Sequence, residues 1–191
     1  MKTQNDMALK EWAIVLKALE EGKQTLLFKK GGISESEGEF KPEYSEFFLF
    51  PTFEHENLES IKADWRPKFL QLQKETRDVK RIIFKIYGVT QWATRVIDWD
   101  LCKRIIPMTI FSEKEVEKRF YYGEWQGIYL MLVRVYALPL PMDLPMKSAY
   151  EGCKSWVPLG TSLFTAGSLP VLPDSVWRMT EEKLNKFIKP I

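Results

Sequence analysis

Phe50–Pro51–Thr52–Phe53–Glu54–His55 sets an acid and the only histidine of the chain at the exit of an apolar run. Groups at the end of a rigid strand are well placed to touch a ligand. A carboxylate there can accept a proton, and an imidazole changes charge near neutral pH. The alternative is a helix start, with Thr52 as the cap and Glu54 favoured by the helix dipole. A second cluster, Tyr150–Glu151–Gly152–Cys153–Lys154–Ser155–Trp156, mixes aromatic, small and basic residues. That composition suits stacking on a flat ring with a polar contact at its edge. Its alternative is a turn with Trp156 docked in the core. Lys29–Lys30–Gly31–Gly32 is a third candidate, since glycines let backbone N–H groups approach an anion. It has neither P-loop nor dinucleotide spacing, and a tight turn after a strand explains the glycines equally well.

Covalent catalysis would need Cys153 beside His55, which can depress a thiol pKa. The two are 98 residues apart, so only the fold can join them. A magnesium nuclease would need carboxylates with a lysine two residues beyond one of them. Glu-x-Lys occurs at Glu21–Lys23, Glu39–Lys41 and Glu181–Lys183, none inside a clear strand with an Asp at the start of its neighbour. In a chain this rich in both residues such triples arise by chance. One histidine and two cysteines exclude a zinc finger or a His-rich metal site, so no metal and no cofactor is expected. Trp92, Trp125 and Tyr122 are further aromatics expected at partly exposed positions.

Charge is balanced overall at +2 but unevenly placed. Residues 34–46 carry five Glu against one Lys, whereas residues 61–86 carry eight basic against three acidic residues, a net of +5. Arg66, Lys68, Lys74, Arg77 and Lys80 in that stretch are candidates for holding a phosphate backbone. The competing interpretation is a solvated helix face.

These groups need a scaffold. Leu9, Trp12, Ala13, Leu16 and Leu19 recur at helical spacing and predict a helix over 6–21, stopped by Gly22. Thr25–Lys30 reads as a strand ending at Gly31–Gly32, and 34–45 as a loop. Glu46–Phe50 is a strand closed by Pro51, apolar enough for burial on both faces. Residues 57–79 read as helix in two pieces around Pro67, which also suits a first turn, with Trp65, Phe69, Leu72, Thr76 and Val79 as one stripe. Arg81–Val89 and Trp92–Ile97 read as two strands, with a turn at Gly88–Gln91. A short helix is expected over 98–105 and another after Ser112, where Glu115 completes a capping box. Gly127–Leu138 is the strongest strand signal. The prolines of 139–147 demand extended or turning backbone. Ser155–Leu159 reads as a last strand. Thr180 reads as the cap of a C-terminal helix docked by Leu184, Phe187 and Ile188. The sum is α+β rather than alternating βαβ units.

The chain has 191 residues, 45% apolar, 28% charged and 14% aromatic. This excludes disorder, collagen and coiled coil, and predicts a single domain over 1–191 that needs no disulfides. No apolar run approaches the length of a membrane helix. The N-terminal MKTQNDMALKEW has no apolar signal region, so a cytoplasmic location with reduced Cys102 and Cys153 is expected.

The same motifs resemble a bacterial family, domain of unknown function 1802. The match is carried by Met7–Ala8–Leu9–Lys10–Glu11–Trp12–Ala13, Phe28–Lys29–Lys30–Gly31–Gly32–Ile33 and Phe48–Leu49–Phe50–Pro51–Thr52–Phe53–Glu54–His55. Arg119–Phe120, Arg134–Val135–Tyr136 and Gly152–Cys153–Lys154–Ser155–Trp156 complete it, in order, over about 7–160, leaving a C-terminal helical extension at about 174–191. Members of that family are found joined to Mrr-type restriction endonuclease domains, which implies a role near restriction–modification or defence. A second resemblance, over Trp12–Lys29, is to the PUA-like class with its ASCH and EVE domains, which open with a helix and a Gly-x-Lys-x-x-Glu-x-Arg signature. Gly22 and Thr25 fit it, and Lys29 replaces the Arg. Gln24 and Leu27 stand where Lys and Glu are expected. The class implies a small mixed β-barrel with flanking helices that binds RNA or modified bases.

The expected function is therefore a nucleic-acid-binding module that reads a base, including a modified one, with DNA or RNA or a restriction endonuclease component as partner and no membrane. Lys29, Lys30, Glu54, His55, Lys154, Ser155 and Trp156 are the candidate ligand contacts. The alternatives are an enzyme acting on nucleic acid or a nucleotide through Glu54, His55 or Cys153, and a protein–protein adaptor.

Overall fold

A computed structural model describes residues 1–30, 40–75 and 80–188, and among them seven strands and five α-helices form. In order they are β1 (Gln4–Trp12), α1 (Ala13–Glu20), β2 (Leu26–Lys29), β3 (Glu46–Thr52), α2 (Arg66–Glu75), β4 (Arg81–Val96) and α3 (Trp99–Ile105). After them come α4 (Glu113–Phe120), β5 (Ile128–Pro145), β6 (Trp156–Phe164), β7 (Leu169–Pro170) and α5 (Asp174–Asn185). The strands form one mixed sheet in the order β2-β5-β4-β3-β1-β6, with β7 pairing β5. This is the α+β class that the sequence predicts.

The sheet is open. β2 and β6 end the path and do not pair with each other, so no closed barrel forms. Helices take the place of closure. All five bury residues in the larger of two apolar clusters, among them Ile14, Phe69, Ile105, Val116 and Trp177, over Leu9, Phe47, Leu49, Leu130 and Leu132 of the sheet. A smaller cluster on the other face holds Ala8, Phe48, Phe50, Phe84, Tyr87, Tyr150 and Val157, with no residue from any of the five helices. Adjacent residues therefore enter opposite cores. Phe47 and Phe48 do so on β3, as the apolar run Glu46–Phe50 predicts, and Ala8 and Leu9 do so on β1.

That two-sided burial explains the largest error of the helical spacing argument. Residues 4–12 are a strand, not the first half of a helix over 6–21. β1 lies inside the sheet, parallel to β3 and antiparallel to β6, so it shows no alternation of polar and apolar residues. Only Ala13–Glu20 is helical, and Ile14, Val15, Leu16, Ala18 and Leu19 are buried.

β4 runs without a turn at Gly88–Gln91. Gly88 is there for close approach: a Cβ would meet Val133 Cγ1 at 2.8 Å and the Phe47 ring at 2.9 Å. The pairing of β4 with β5 shifts register between Phe84 and Ile86 and again between Thr90 and Trp92. The first shift puts Phe84 in the small core and Ile86 in the large one, although two residues apart they would share a face of a regular strand.

Local signals of the helices are mostly observed. Asp98 Oδ1 accepts from the Asp100 and Leu101 N–H groups at 2.8 and 3.3 Å and caps α3. Ser112 Oγ accepts from the Glu115 N–H, but the Glu115 carboxylate turns to Ser60 and Arg119, so the capping box is half formed. Pro67 falls in the first turn of α2. β5 continues extended through Pro139, Pro141 and Pro145. Thr180 lies inside α5 rather than capping it, because the helix begins at Asp174, and its Oγ1 donates to the Val176 carbonyl. Leu184 and Ile188 do dock in the main core. Gly31–Gly32, residues 34–39, Thr76, Arg77, Val79 and 189–191 lie outside the described residues. Among the described residues no helix is long and apolar enough to cross a membrane.

Candidate functional site

β1 and β3 run parallel and in register, with Glu11 opposite Pro51 and Trp12 opposite Thr52, so both strands end at the same rim of the sheet. β6 joins them there. Leu9 faces Trp156, and the Lys10 N–H donates to the Ser155 carbonyl at 2.8 Å. A cavity of about 290 Å³ opens at this rim. Five segments wall it: the end of β1, the end of β2, the exit of β3, the C-terminal end of α4 and the segment just before β6.

Its floor is an ion pair. Lys29 Nζ lies 3.4 Å from Glu11 Oε2, and the two side chains are 12% and 3% exposed. Lys29 Nζ also donates to the Lys10 carbonyl at 2.8 Å, and Glu11 Oε1 accepts from the Trp12 N–H at 2.9 Å. A buried carboxylate is tolerated only when paired and hydrogen-bonded, as this one is. Lys10 is buried against the same floor. Its Nζ donates to the Gly152 carbonyl at 2.8 Å, and burial holds its pKa below the usual lysine value. Arg119 lies over the Trp12 and Phe111 rings at 4.7 and 4.1 Å, fixed by Glu115 at 2.7 Å and by the Phe28 carbonyl at 3.1 Å.

Six of the seven candidate ligand contacts line this cavity: Lys29, Lys30, Glu54, His55, Lys154 and Ser155. Their roles differ. Lys30 Nζ donates to the carbonyls of Phe120, Trp125 and Gly127 at 3.2, 2.6 and 2.8 Å, and sits over the Trp125 ring at 3.4 Å. All three of its protons are engaged, so it staples the loop after α4, whose Tyr122 reaches the cavity. Lys154 Nζ donates to the Ala149 carbonyl. Glu54 and His55 are exposed at the mouth. No helix starts at Thr52; its Oγ1 accepts from the Glu54 N–H at 3.3 Å in a side-chain turn. His55 has φ +63°, the one non-glycine residue in the left-handed region among the described residues. Such a backbone persists where its surroundings fix it, often at a ligand site.

Trp156 is the exception and corrects the stacking-platform expectation. Its indole N–H donates to the Lys41 carbonyl at 2.8 Å, and it packs on Phe40, Tyr44 and Phe47 at centroid distances of 5.9, 5.0 and 5.2 Å. It plugs the core beside the cavity. Of the other aromatics, Trp92 is buried with its N–H on Asn185 Oδ1 at 3.0 Å, Trp125 is half-buried, and Tyr122 is exposed on the cavity rim.

The wall also contains Lys10, Glu11, Trp12, Lys118 and Arg119, none of them among the candidate ligand contacts, although all but Lys118 fall in segments that carry the family resemblance. Cys153 and His55, far apart in sequence, both line it. Cys153 is exposed, whereas Cys102 is buried and its thiol is pushed up to about 12 by desolvation. Beside His55, the Glu56 carboxylate accepts from the Ile14 N–H at 3.3 Å and from Gln73 Nε2 at 2.8 Å. Burial raises its pKa to about 7, helped by the nearby charge of Glu11. Among the described residues no group of three or more His, Cys, Asp or Glu side chains is arranged to hold a metal.

Half of the eight basic residues of 61–86 are engaged within the chain. Lys62 Nζ donates to the Ile106 and Thr109 carbonyls at 2.8 and 2.5 Å, and Arg66 Nε to the Ile61 carbonyl at 3.2 Å. Lys68 pairs with Glu21, and Arg81 with Asp143 at 2.7 Å. Lys74 and Lys80 are exposed, on α2 and just before β4.

The profile of one family, Domain of unknown function (DUF1802), matches residues 8–183, nearly the whole chain. The chain belongs to this family. The DUF1802 match spans every wall of the cavity and reaches into α5. No curated protein matches the sequence. Among solved structures the chain is similar to the ASCH protein of Zymomonas mobilis. The identity is 14% with a TM-score of 0.44, covering 92% of this chain and 93% of that one. A mutant of the same protein gives 12% identity and a TM-score of 0.45, covering 96% and 99%.

Proposed function

We propose that this DUF1802 chain is a nucleic-acid-binding module that receives one base in the cavity and holds the adjoining phosphates at its mouth. The observation that carries this reading is the composition of the cavity wall. Lys10, Lys29, Lys118, Arg119 and Lys154 converge on it from separate segments, beside the Trp12 and Tyr122 rings and over a buried carboxylate. Cations suit phosphate, aromatic faces suit a base, and a buried acceptor suits a base edge. The volume of about 290 Å³ lies at the low end of ligand sites and fits a nucleotide unit rather than a length of polymer.

Fluorescence anisotropy with labelled single-stranded and duplex oligonucleotides at two salt concentrations tests it. Binding should weaken steeply with salt, with a slope set by the number of phosphates neutralised. A flat salt dependence, or no binding, refutes the proposal. Duplexes with and without cytosine modification test the narrower expectation of a modified-base reader linked to restriction–modification.

One observation favours catalysis as a second reading: Glu54, Cys153 and the left-handed His55 share the cavity. Under it, Glu54→Gln and His55→Ala abolish turnover of a bound nucleic acid while leaving binding largely intact. Loss of binding alone returns the first reading.

A further inference from the structure

The floor of the cavity presents hydrogen-bonding sites in a fixed order. A carboxylate has about four acceptor positions, two on each oxygen, and an ammonium has three donors. Glu11 Oε1 uses one position on the Trp12 N–H, and Oε2 uses one on Lys29. One acceptor position therefore remains on each oxygen. Lys29 donates to the Lys10 carbonyl and to Glu11, which leaves one donor. Both side chains line the cavity and are nearly buried, so an incoming ligand can meet one donor beside two acceptor oxygens.

Among the five common bases, only guanine carries the complement on its pairing edge. Its O6 accepts, and its N1–H and N2–H donate side by side in the same direction. Adenine and cytosine each offer a single amino donor towards a carboxylate, leaving one Glu11 oxygen desolvated and unmatched. Uracil and thymine set a carbonyl against an oxygen. A site built to take two N–H groups rejects a ligand lacking them, because its buried polar atoms are then left unpaired.

We infer that Glu11 and Lys29 make the cavity a guanine site, Glu11 accepting from N1–H and N2–H and Lys29 donating to O6. This rests on the nucleic-acid reading above. It specifies the base, which that reading leaves open. Trp12 and Tyr122 stand in the same wall to flank the ring, and Lys118 and Lys154 at the mouth face the phosphates.

The test uses fluorescein-labelled heptauridine in which the central nucleotide is varied among guanosine, inosine, adenosine, cytidine and uridine. Anisotropy titrations are run with the full chain. The guanosine oligomer should bind about ten-fold or more tightly than those with the other standard bases, since a good bidentate base contact discriminates by that order. Inosine, which lacks the 2-amino group, should fall between. Glu11→Gln keeps the bond to the Trp12 N–H but offers one acceptor and one donor. It should shrink the guanosine preference to about two-fold or less. Salt-dependent binding of all the oligomers within about two-fold of one another overturns the guanine assignment and leaves the nucleic-acid reading standing. Binding of none overturns both. A Glu11→Gln protein that folds and keeps its full guanosine preference also overturns the assignment. If Glu11→Gln does not fold, guanosine against inosine on the unaltered chain still decides, and equal affinities sink it.

Discussion

Cations of the stretch from Lys62 to Arg81 and cations at the cavity differ in how they are brought together. The stretch from Lys62 to Arg81 is the most basic of the sequence, yet Lys62, Arg66, Lys68 and Arg81 end on carbonyls or carboxylates of their own chain. The cavity gathers six from β1, the end of β2, α4 and the segment before β6, most of them likewise held by groups of their own chain but lining one shared space. Local charge density therefore says little about where an anion binds. Convergence of strand ends says more, because two parallel strands in register must finish together. At the cavity itself two neighbours in sequence differ in their partners. Lys29 faces a carboxylate in the ligand space, and Lys30 faces three carbonyls behind it.

The strongest way to break that last contrast is Lys30→Met. It leaves three carbonyl contacts unmade, two of them buried, and at 1–3 kcal/mol for a buried group left without its partner the loss of unfolding free energy should be about 2 kcal/mol or more, read by urea denaturation. A loss under about 1 kcal/mol would make Lys30 a mouth cation like the others.

Glu56 gives an effect of similar size that depends on pH. Its native pKa is about 7 against an ordinary 4.5, so between those values the native state binds more protons than the unfolded state. Its contribution is fully present below about pH 4.5 and is lost as pH rises through 7, at most about 3 kcal/mol in all. Glu56→Gln should flatten that part of the stability profile, measured as Tm against pH. An unchanged slope would remove Glu56 as its source.

The smallest effects separate the two regions directly. Lys118→Ala and Lys154→Ala should each weaken oligonucleotide binding and lower the slope of log K against log salt by about one. Lys68→Ala and Lys74→Ala should leave both nearly unchanged. Equal losses from the two pairs would restore α2 as the backbone-holding face.

Much of the scaffold was readable from the residues. Phe47–Phe50 announced a strand buried on both faces, Ser112 marked a helix start, and Glu54–His55 and Lys154–Ser155 pointed to the cavity from either side. β1 was not readable, because a strand buried on both faces loses its period of two, and Leu9, Trp12, Leu16 and Leu19 imitate a helix across a strand–helix junction. Glu11 was lost with it. In a helix it would be one more solvated acid between Lys10 and Trp12, and only its burial beside Lys29 sets it apart. Trp156 was misjudged because an aromatic beside Lys and Ser serves as plug or platform alike, and the Lys41 carbonyl that anchors it is 115 residues away.

The two thiols of the chain could hardly be more unlike. Cys102 is buried on the core side of α3 with its ionisation suppressed, while Cys153 stands open at the cavity mouth. A maleimide dye or a fluorinated tag should therefore attach at one native position without any engineering. A reporter placed there would sense an arriving ligand in real time, and protection of Cys153 from labelling would count occupied molecules even for a ligand that carries no label of its own.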